Sequence, residues 1–254
     1  MRRFALALAV LAACALPPLA SGERPFVATL TPDGPVRGVV IGVHGGAWYG
    51  VGHRISMAVR DDLERWRRQG WRGVIVDYPP GGDAPASVLH AYDRVRARSG
   101  PDIPICLYGE SAGGQLALMV AAARPDVACV ETAGAPTDLA AIDPRPSAVA
   151  AHADRNARRA FPGDALEAMS PIGHASDIHA RMLLTHLRTD RVIGAAHAQQ
   201  MAAATPGAEL LVLEPGAVPW VHGRASAASM ASLARAERDL MAAAAGSANV
   251  NGGH

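Results

Sequence analysis

The sequence predicts an α/β protein with an open, mostly parallel central sheet. Six short apolar runs are spaced along the chain, and segments with helical periodicity separate them. The runs are apolar at almost every position, which is typical of strands covered on both faces. Strands that alternate with helices form parallel sheets joined by right-handed crossovers. The predicted strands are residues 36–43, 73–78, 103–108, 127–133, 182–187 and 209–214.

Helical patterns fill the intervals between these strands, and most of them end at Gly or Pro. The predicted helices are residues 56–70, 86–100, 112–125, 194–207 and 226–245. One interval differs, because residues 138–170 are polar, interrupted by prolines and free of strand pattern. Such a segment is too long for an ordinary connection. We expect it to form a short helical lid over the C-terminal edge of the sheet.

The composition excludes several classes of function. The chain of 254 residues is 50% hydrophobic, which is enough to bury a sizeable core in one domain. Its formal net charge is +1, and its basic residues are dispersed arginines. This pattern lacks the basic stripe of a nucleic-acid-binding protein. Cys and His residues do not occur at metal-ligand spacing, so we expect no metal and no cofactor.

The N-terminus predicts export. Two arginines precede an apolar run and then small residues and prolines, which is typical of a signal peptide over residues 1–22. The alternative is a lipoprotein leader, because "LAAC" resembles a lipobox and would place a lipid on Cys14. The catalytic domain would then cover residues 23–245, followed by a disordered tail at 246–254. Cys106 and Cys129 lie in neighbouring apolar runs, where we expect unpaired buried thiols in preference to a disulfide.

Ser111 is the candidate nucleophile. The stretch "ICLYGESAGGQLAL" predicts a strand, a G-x-S-x-G turn and a helix, which is the context of a nucleophile elbow. Gly109 and Gly113 would let the strand and the helix approach each other. A phosphate-binding loop would need a Lys and a Ser or Thr after its last glycine, and Gln115 and Leu116 stand there instead. A purely structural glycine turn is the remaining alternative.

A glycine-rich loop follows the first predicted strand. The stretch "VHGGAW" places His44 and two glycines at its C-terminal end, where backbone N–H groups can approach a reacting centre. Together with "GESAGG", this loop resembles the α/β-hydrolase superfamily, in particular its hormone-sensitive-lipase-like and kynurenine-formamidase-like carboxylesterases. The resemblance implies an α/β-hydrolase fold and an oxyanion hole made by the N–H groups of Gly46, Ala47 and Ala112. It also implies that His44 orients the loop and transfers no proton.

The acid and the base should follow the serine in that order. Asp190 comes directly after the predicted strand at 182–187, and "TDRVI" resembles the turn that carries the family's acid. Asp138, after the previous strand, is its competitor. His222 lies in the loop before the last helix and is the candidate base.

The sequence therefore predicts a serine hydrolase of small-molecule carboxylic esters. An amide or formamide hydrolase with the same residues is the alternative within enzymes, and a non-catalytic binding protein on a hydrolase scaffold is the alternative from another class. Trp48 and Trp220 neighbour the two loops of the site in sequence. They are candidates for the walls of the substrate pocket, and ordinary core aromatics are the other interpretation. The sequence does not predict an oligomeric state.

Overall fold

The computed structural model describes residues 26–50 and 53–251. Within them, the main sheet has the strand order β1-β3-β2-β4-β5-β6-β7. Strand β1 pairs with β3 in antiparallel fashion, and the other pairs of the sheet are parallel. The strands are β1 Phe26–Leu30, β2 Gly38–Val43, β3 Trp71–Val76, β4 Ile105–Glu110, β5 Cys129–Ala133, β6 Arg181–Leu187 and β7 Glu209–Leu213. A separate antiparallel hairpin joins β8 Pro215–Trp220 to β9 Gly223–Ala225.

Helices connect the strands as the alternation predicts. They are α1 His53–Ser56, α2 Arg60–Arg68, α3 Ala84–Ser99, α4 Ala112–Ala123, α5 Ala148–Ala160, α6 Ala165–Ala168, α7 Ala196–Ala204 and α8 Ala227–Asn251. Short 3₁₀ turns cover Met57–Val59, Leu139–Ala141 and Pro171–Asp177. None of the helices in the described part of the chain combines the length and the apolar character that crossing a bilayer requires.

Helices cover both faces of the sheet. Successive residues of a strand point to opposite faces, so they pack against different helices. In β2, Val39 and Ile41 belong to the core cluster that includes residues of α3 and α4, whereas Val40 belongs to the cluster that includes residues of α2 and α8. All six residues of β2 are buried. The apolar runs of the sequence are therefore strands of the main sheet, as predicted, although the last of them is the edge strand β7, in which only Leu213 is buried.

The structure adds two strand features that the sequence analysis did not predict. The first is the antiparallel edge strand β1, a run of five residues near the start of the expected mature chain. The second is the β8–β9 hairpin, where two prolines and a glycine within residues 215–219 indicate a loop on propensity alone. Proline is tolerated here because this small hairpin consists of two edge strands.

The prediction of two free thiols was wrong, because Cys106 and Cys129 form a disulfide. The two residues are direct Cα partners on the neighbouring parallel strands β4 and β5, with 4.5 Å between their Cα atoms. Register pairing points both side chains to the same face of the sheet. Separation along the sequence gave no sign of this, since the register between two strands is a property of the folded sheet.

The predicted signal peptide, the alternative lipid site Cys14 and residues 252–254 lie outside the described residues. Helix α8 continues to Asn251, beyond the point at which we expected a disordered tail. Its alanine-rich sequence has high helix propensity, which carries the helix past Gly246. The predicted lid at 138–170 contains the 3₁₀ turn Leu139–Ala141 and the helices α5 and α6. We refer to it below as the 138–170 segment.

Candidate active site

Ser111 lies in a sharp turn between β4 and α4. Its backbone has φ +49° and ψ −121°, a combination that residues with a side chain rarely adopt. The flanking glycines make the turn possible, because a Cβ at Gly109 would lie 2.4 Å from the carbonyl oxygen of Gly113. A Cβ at Gly113 would lie 2.2 Å from the carbonyl oxygen of Val43. The turn places the serine at the C-terminal end of β4, which lies between β2 and β5 in the sheet. The surrounding structure maintains the strained backbone of the serine.

The structure brings Ser111, His222 and Asp190 into one hydrogen-bonded chain. The Ser111 Oγ lies 3.0 Å from Nε2 of His222, and Nδ1 of the same imidazole lies 2.8 Å from Oδ2 of Asp190. Because a carboxylate accepts and does not donate, His222 carries a hydrogen on Nδ1. Its Nε2 is then free to accept the Ser111 hydroxyl hydrogen. These three residues are the ones selected from the sequence, although Asp190 and His222 are 79 and 111 positions from Ser111 along the chain.

Asp190 is held as a buried carboxylate. Its side chain is 0% exposed, and its Oδ1 accepts hydrogen bonds from the N–H groups of Val192 and Ile193 at 2.7 Å and 3.0 Å. Burial alone would raise its pKa, but hydrogen bonding by His186 and His222 outweighs burial and lowers the pKa to about 2. The carboxyl group is therefore ionised at neutral pH and orients His222.

Asp138, the competing acid, has a different role in the structure. Its Oδ1 accepts hydrogen bonds from the N–H groups of Ala140 and Ala141, and so it caps the 3₁₀ turn Leu139–Ala141. Its Oδ1 is thus engaged locally, whereas the carboxylate that contacts His222 is that of Asp190. Of the two candidates, the structure therefore places Asp190, which follows β6, against His222.

His222 occupies the tight turn of the β8–β9 hairpin. Trp220 and Gly223 are paired across the turn, and His222 has φ +61°. Gly134, which follows β5, lies close to the imidazole. A Cβ placed on Gly134 would be only 3.2 Å from Nδ1 of His222. The sequence analysis missed Gly134, and a single glycine after a strand gives no signal of such a contact.

The glycine-rich loop lies beside the serine. A Cβ at Gly45 would be 3.3 Å from Cβ of Ser111. The loop then turns back on itself through hydrogen bonds from the N–H groups of Tyr49 and Gly50 to the carbonyl oxygen of Gly46. Gly46, Ala47 and Trp48 all have positive φ, at 107°, 48° and 61°.

His44 is buried at the base of this loop and contacts it by polar groups. Its Nδ1 lies 2.7 Å from the carbonyl oxygen of Gly45, and its Nε2 lies 3.0 Å from Oδ1 of Asp77. The ring also stacks on Tyr78, whose hydroxyl lies 3.0 Å from the carbonyl oxygens of His44 and Gly45. His44 is therefore placed to orient the loop.

The two tryptophans differ in position. Trp48 is 1% exposed, donates a hydrogen bond from Nε1 to Oε1 of Gln115 at 2.8 Å, and packs edge-on against Phe161. Trp48 is thus a loop residue whose side chain lies in the core. Trp220 is partly buried two residues before His222 and packs against the core cluster on the α8 side.

His186 is a second histidine that contacts Asp190. It is the penultimate residue of β6, is 0% exposed, and places Nε2 3.3 Å from Oδ2 of Asp190 and 2.7 Å from the carbonyl oxygen of Ile193. Its place at a strand end is visible in the sequence, but this contact is not. In the described part of the chain, no group of three or more His, Cys, Asp or Glu residues is arranged to hold a metal ion.

This arrangement supports nucleophilic chemistry. A serine hydroxyl that donates to an imidazole, which is itself oriented by a buried carboxylate, can lose its proton as it attacks an electrophile. Ala112 is the first residue of α4, so its N–H belongs to the group that lacks an intrahelical acceptor. The helix dipole adds positive potential at the same place.

Comparison with known proteins agrees with this fold. Residues 103–209 match the model of the prolyl oligopeptidase family. None of the curated proteins compared with the chain matches it. Among solved structures, a hormone-sensitive lipase from a metagenome library aligns with a TM-score of 0.65 and 17% identity, over 93% of this chain and 91% of that one.

Two further structures are similar at the same level. The monoacylglycerol lipase of Paleococcus ferrophilus has a TM-score of 0.59 and 16% identity, over 85% of this chain and 98% of that one. A puromycin-hydrolysing peptidase of Mycobacterium tuberculosis has a TM-score of 0.61 and 20% identity, over 83% of this chain and 34% of that one. The protein therefore has the α/β-hydrolase fold, as its sequence motifs predicted.

Proposed function

We propose that the protein is a serine hydrolase that cleaves carboxylic esters through an acyl-enzyme intermediate. The observation that carries the proposal is the hydrogen-bonded chain from Ser111 through His222 to Asp190, with the strained serine beside the glycine-rich loop. A serine used only to terminate a strand has no need of an imidazole 3.0 Å from its Oγ.

In the first half of the reaction, Ser111 Oγ attacks the carbonyl carbon while His222 Nε2 takes the hydroxyl proton. Asp190 stabilises the imidazolium that forms. The N–H groups of Gly46, Ala47 and Ala112 are the proposed donors to the oxyanion, and each such donor contributes on the order of 3 kcal/mol to the transition state. The imidazolium then protonates the leaving alkoxide, and an alcohol and the Ser111 acyl ester are the products of this half.

In the second half, His222 takes a proton from water, and the resulting hydroxyl attacks the acyl carbon. Collapse of the second tetrahedral intermediate breaks the bond to Ser111 Oγ, which regains its proton from His222. The products are the carboxylic acid and the free enzyme. No step requires a metal or an organic cofactor.

An ester substrate is supported by the extent of the structural matches. The two lipases align over 91% and 98% of their own length, whereas the peptidase aligns over 34% of its length. The second candidate, hydrolysis of an amide or formamide, is supported by the match of residues 103–209 to the prolyl oligopeptidase family. The same residues would perform either reaction, because the triad acts on the acyl carbon in both.

A fluorophosphonate tests the enzyme class. We expect the intact mass of the full chain to increase by one adduct, mapped by peptide digestion to Ser111, and we expect Ser111→Ala to lose both the adduct and esterase turnover. Ser226→Ala, a change in the cap of the last helix, is a matched control that should keep both. Absence of an adduct on the wild-type protein would favour a non-catalytic binding protein and reject the proposal.

A substrate panel then separates the two activities. p-Nitrophenyl esters of increasing chain length are compared with formyl-anilide and aminoacyl-anilide substrates by kcat/KM. Preference for the anilides over every ester would replace the ester assignment by the amide one.

We further propose that the protein is exported. The support is the leader pattern at residues 1–22 together with the Cys106–Cys129 disulfide, since disulfides persist mainly in oxidising compartments. N-terminal sequencing of the processed protein should begin at Glu23, and a lipidated Cys14 at the terminus would select the lipoprotein alternative. Recovery of unprocessed protein in the cytoplasm would reject export.

A further inference from the structure

The 138–170 segment is joined to the glycine-rich loop by a partly buried hydrogen bond. Asn156, on the inner face of α5, is 9% exposed and donates from Nδ2 to the carbonyl oxygen of Ala47 at 3.2 Å. The two residues are 109 positions apart in sequence. Ala47 is one of the proposed oxyanion donors, so the contact links the segment to the centre of the site.

The amide group of Asn156 can face Ala47 in one orientation. A backbone carbonyl accepts hydrogen bonds and does not donate them, so the NH₂ group must point to Ala47. The second hydrogen of that NH₂ group is directed to Nε2 of His152, which lies 3.1 Å away on the same helix. Both hydrogens of the buried amide are therefore used, which fixes the side chain.

Apolar and polar contacts extend the same connection to Trp48. Phe161, at the end of α5, packs edge-on against the indole with 5.8 Å between the ring centroids. Gln115 accepts from Trp48 Nε1 and donates from its Nε2 to the carbonyl oxygen of Met169, which is near the end of the segment. The segment thus contacts two consecutive residues of the loop.

Those two residues are the ones whose backbone requires support. Ala47 and Trp48 have φ of +48° and +61°, and a residue with a Cβ keeps such a conformation when its surroundings dictate it. The hydrogen bond to the Ala47 carbonyl fixes the peptide plane that follows Ala47. The direction of the Ala47 N–H, on the other side of the same Cα, depends on that restraint.

We propose that Asn156 is a positioning residue that holds the Ala47 peptide in the geometry needed to stabilise the oxyanion. The 138–170 segment is then a part of the oxyanion site and not a cover alone. This inference rests on the proposed serine hydrolase function. Asn156 forms no hydrogen bond with Ser111 or His222 in the described part of the chain, and it acts through the backbone of the glycine-rich loop.

The test compares Asn156→Asp and Asn156→Ala with Arg155→Ala in the full-length protein. Asp keeps the size of the side chain but, when ionised, presents oxygen in place of the donor, so it separates the hydrogen bond from packing. Arg155 is exposed on the same helix and gives a matched control. Rates are measured with a p-nitrophenyl ester and expressed per active site, counted from the fluorophosphonate adduct formed at completion.

We expect both Asn156 variants to lose about tenfold to a hundredfold in kcat with KM changed by less than about threefold, as for a displaced transition-state contact. Inhibition by a trifluoromethyl ketone, which forms a tetrahedral adduct on serine, should weaken by the same factor as kcat/KM. Inhibition by the alcohol product, which forms no oxyanion, should be unchanged. Arg155→Ala should match the wild type in all three measurements.

Three results would overturn the inference. The first is a wild-type kcat per active site in Asn156→Asp, whatever its thermal stability. The second is an equal loss of affinity for the ketone and for the alcohol, which would indicate a general distortion of the site. The third is an equal loss in Arg155→Ala. In each of these three results, an active wild-type enzyme would leave the proposed serine hydrolase function unaffected. A wild-type protein that forms no adduct at Ser111 would overturn both the proposed function and the role of Asn156.

Discussion

Nε2 of His186 lies 3.3 Å from Oδ2 of Asp190, the same oxygen that accepts the hydrogen bond from His222. Nε2 also lies 2.7 Å from the carbonyl oxygen of Ile193. Because both neighbours accept hydrogen bonds, Nε2 carries a hydrogen. A second histidine therefore helps to hold the acid from within the sheet.

Replacing His186 by Leu removes this donor and leaves the Ile193 carbonyl without it. We expect the free energy of unfolding to fall by about 1–3 kcal/mol, which is the cost of an unsatisfied buried polar group. Urea denaturation of the purified protein measures the change. His186→Gln keeps an N–H donor on a side chain of similar length and should recover part of the loss. Equal stabilities for the Leu variant and the wild type would contradict this account of His186.

Replacing Asp190 by Asn removes the charge that orients and stabilises His222. We expect kcat to fall on the order of 10⁴-fold, as when the acid of a triad is replaced by its amide. Stability should respond to pH as well. Since folding lowers the pKa of Asp190 from 3.8 to about 2, the ionised group stabilises the fold above the unfolded pKa.

That contribution, on the order of 2 kcal/mol, is lost as the pH falls from about 4 towards about 2. The difference in unfolding free energy between the wild type and Asp190→Asn should shrink over this window. Urea titrations at several pH values measure it. A constant difference across the window would mean that the carboxylate does not contribute in this way.

Gly134→Ala should impair His222. A Cβ at this position would lie 3.2 Å from both Nδ1 of His222 and Cγ1 of Val221, and the backbone has φ +62°. We expect a loss in kcat from displacement of the imidazole, in addition to about 1 kcal/mol of backbone strain. Gly163→Ala is the matched control, because its φ is +60° and nothing lies within 4 Å of the added Cβ. Comparable loss of kcat in both variants would contradict a specific effect on His222.

Removing the disulfide should destabilise the fold. The bridge links strands β4 and β5 across 23 residues, and closing a loop of this length contributes about 3 kcal/mol in the chain-entropy model. We expect the double variant Cys106→Ala, Cys129→Ala to unfold at a temperature lower by roughly 10 °C. Thermal unfolding by circular dichroism gives the shift. The difference should nearly vanish when both proteins are unfolded under strong reductant, and its persistence there would assign the loss to packing.

A buried carboxyl predicts a stability change at alkaline pH. Glu131 on β5 is 0% exposed, and neither of its carboxyl oxygens has a hydrogen-bond partner in the described part of the chain. Burial is the main cause that raises its pKa well above 4.5, and Glu237 adds to the shift while Arg65 opposes it. Asp62 also faces this group, and Arg65 donates to both Asp62 and Glu237.

A raised carboxyl pKa stabilises the fold below the unfolded pKa, and this stabilisation is lost as the pH rises. We therefore expect the unfolding free energy of the wild type to decrease as the pH rises above the ordinary carboxyl pKa of 4.5. Glu131→Gln cannot ionise and should show a smaller decrease, by denaturant titration at each pH. Glu209→Gln, at an exposed position, is the control and should follow the wild type. Identical slopes for all three proteins would contradict the prediction.

Much of the fold, and the candidate residues of the site, could be predicted from the sequence because the signals are local. Continuous apolar runs mark strands covered on both faces, and six of them were found within a few residues of their ends. Ser111 was selected as the candidate nucleophile because an elbow needs glycines at fixed positions around it. Asp190 and His222 were selected as the candidate acid and base because the loops that follow parallel strands meet at one edge of the sheet.

Contacts between distant segments were decided only by the tertiary structure. Register between β4 and β5 pairs Cys106 with Cys129, and two apolar runs in a sequence do not contain that register. The β8–β9 hairpin lacks the apolar runs by which the other strands were found, and the short apolar stretch of β1 does not contain its antiparallel pairing with β3. The contacts of Gly134, Asn156 and His186 join residues through packing, so no spacing along the chain could predict them. The sequence by itself determined the order of the strands and the candidate residues of the site, and the packing of the loops and of α5 around the sheet decided what contacts those residues.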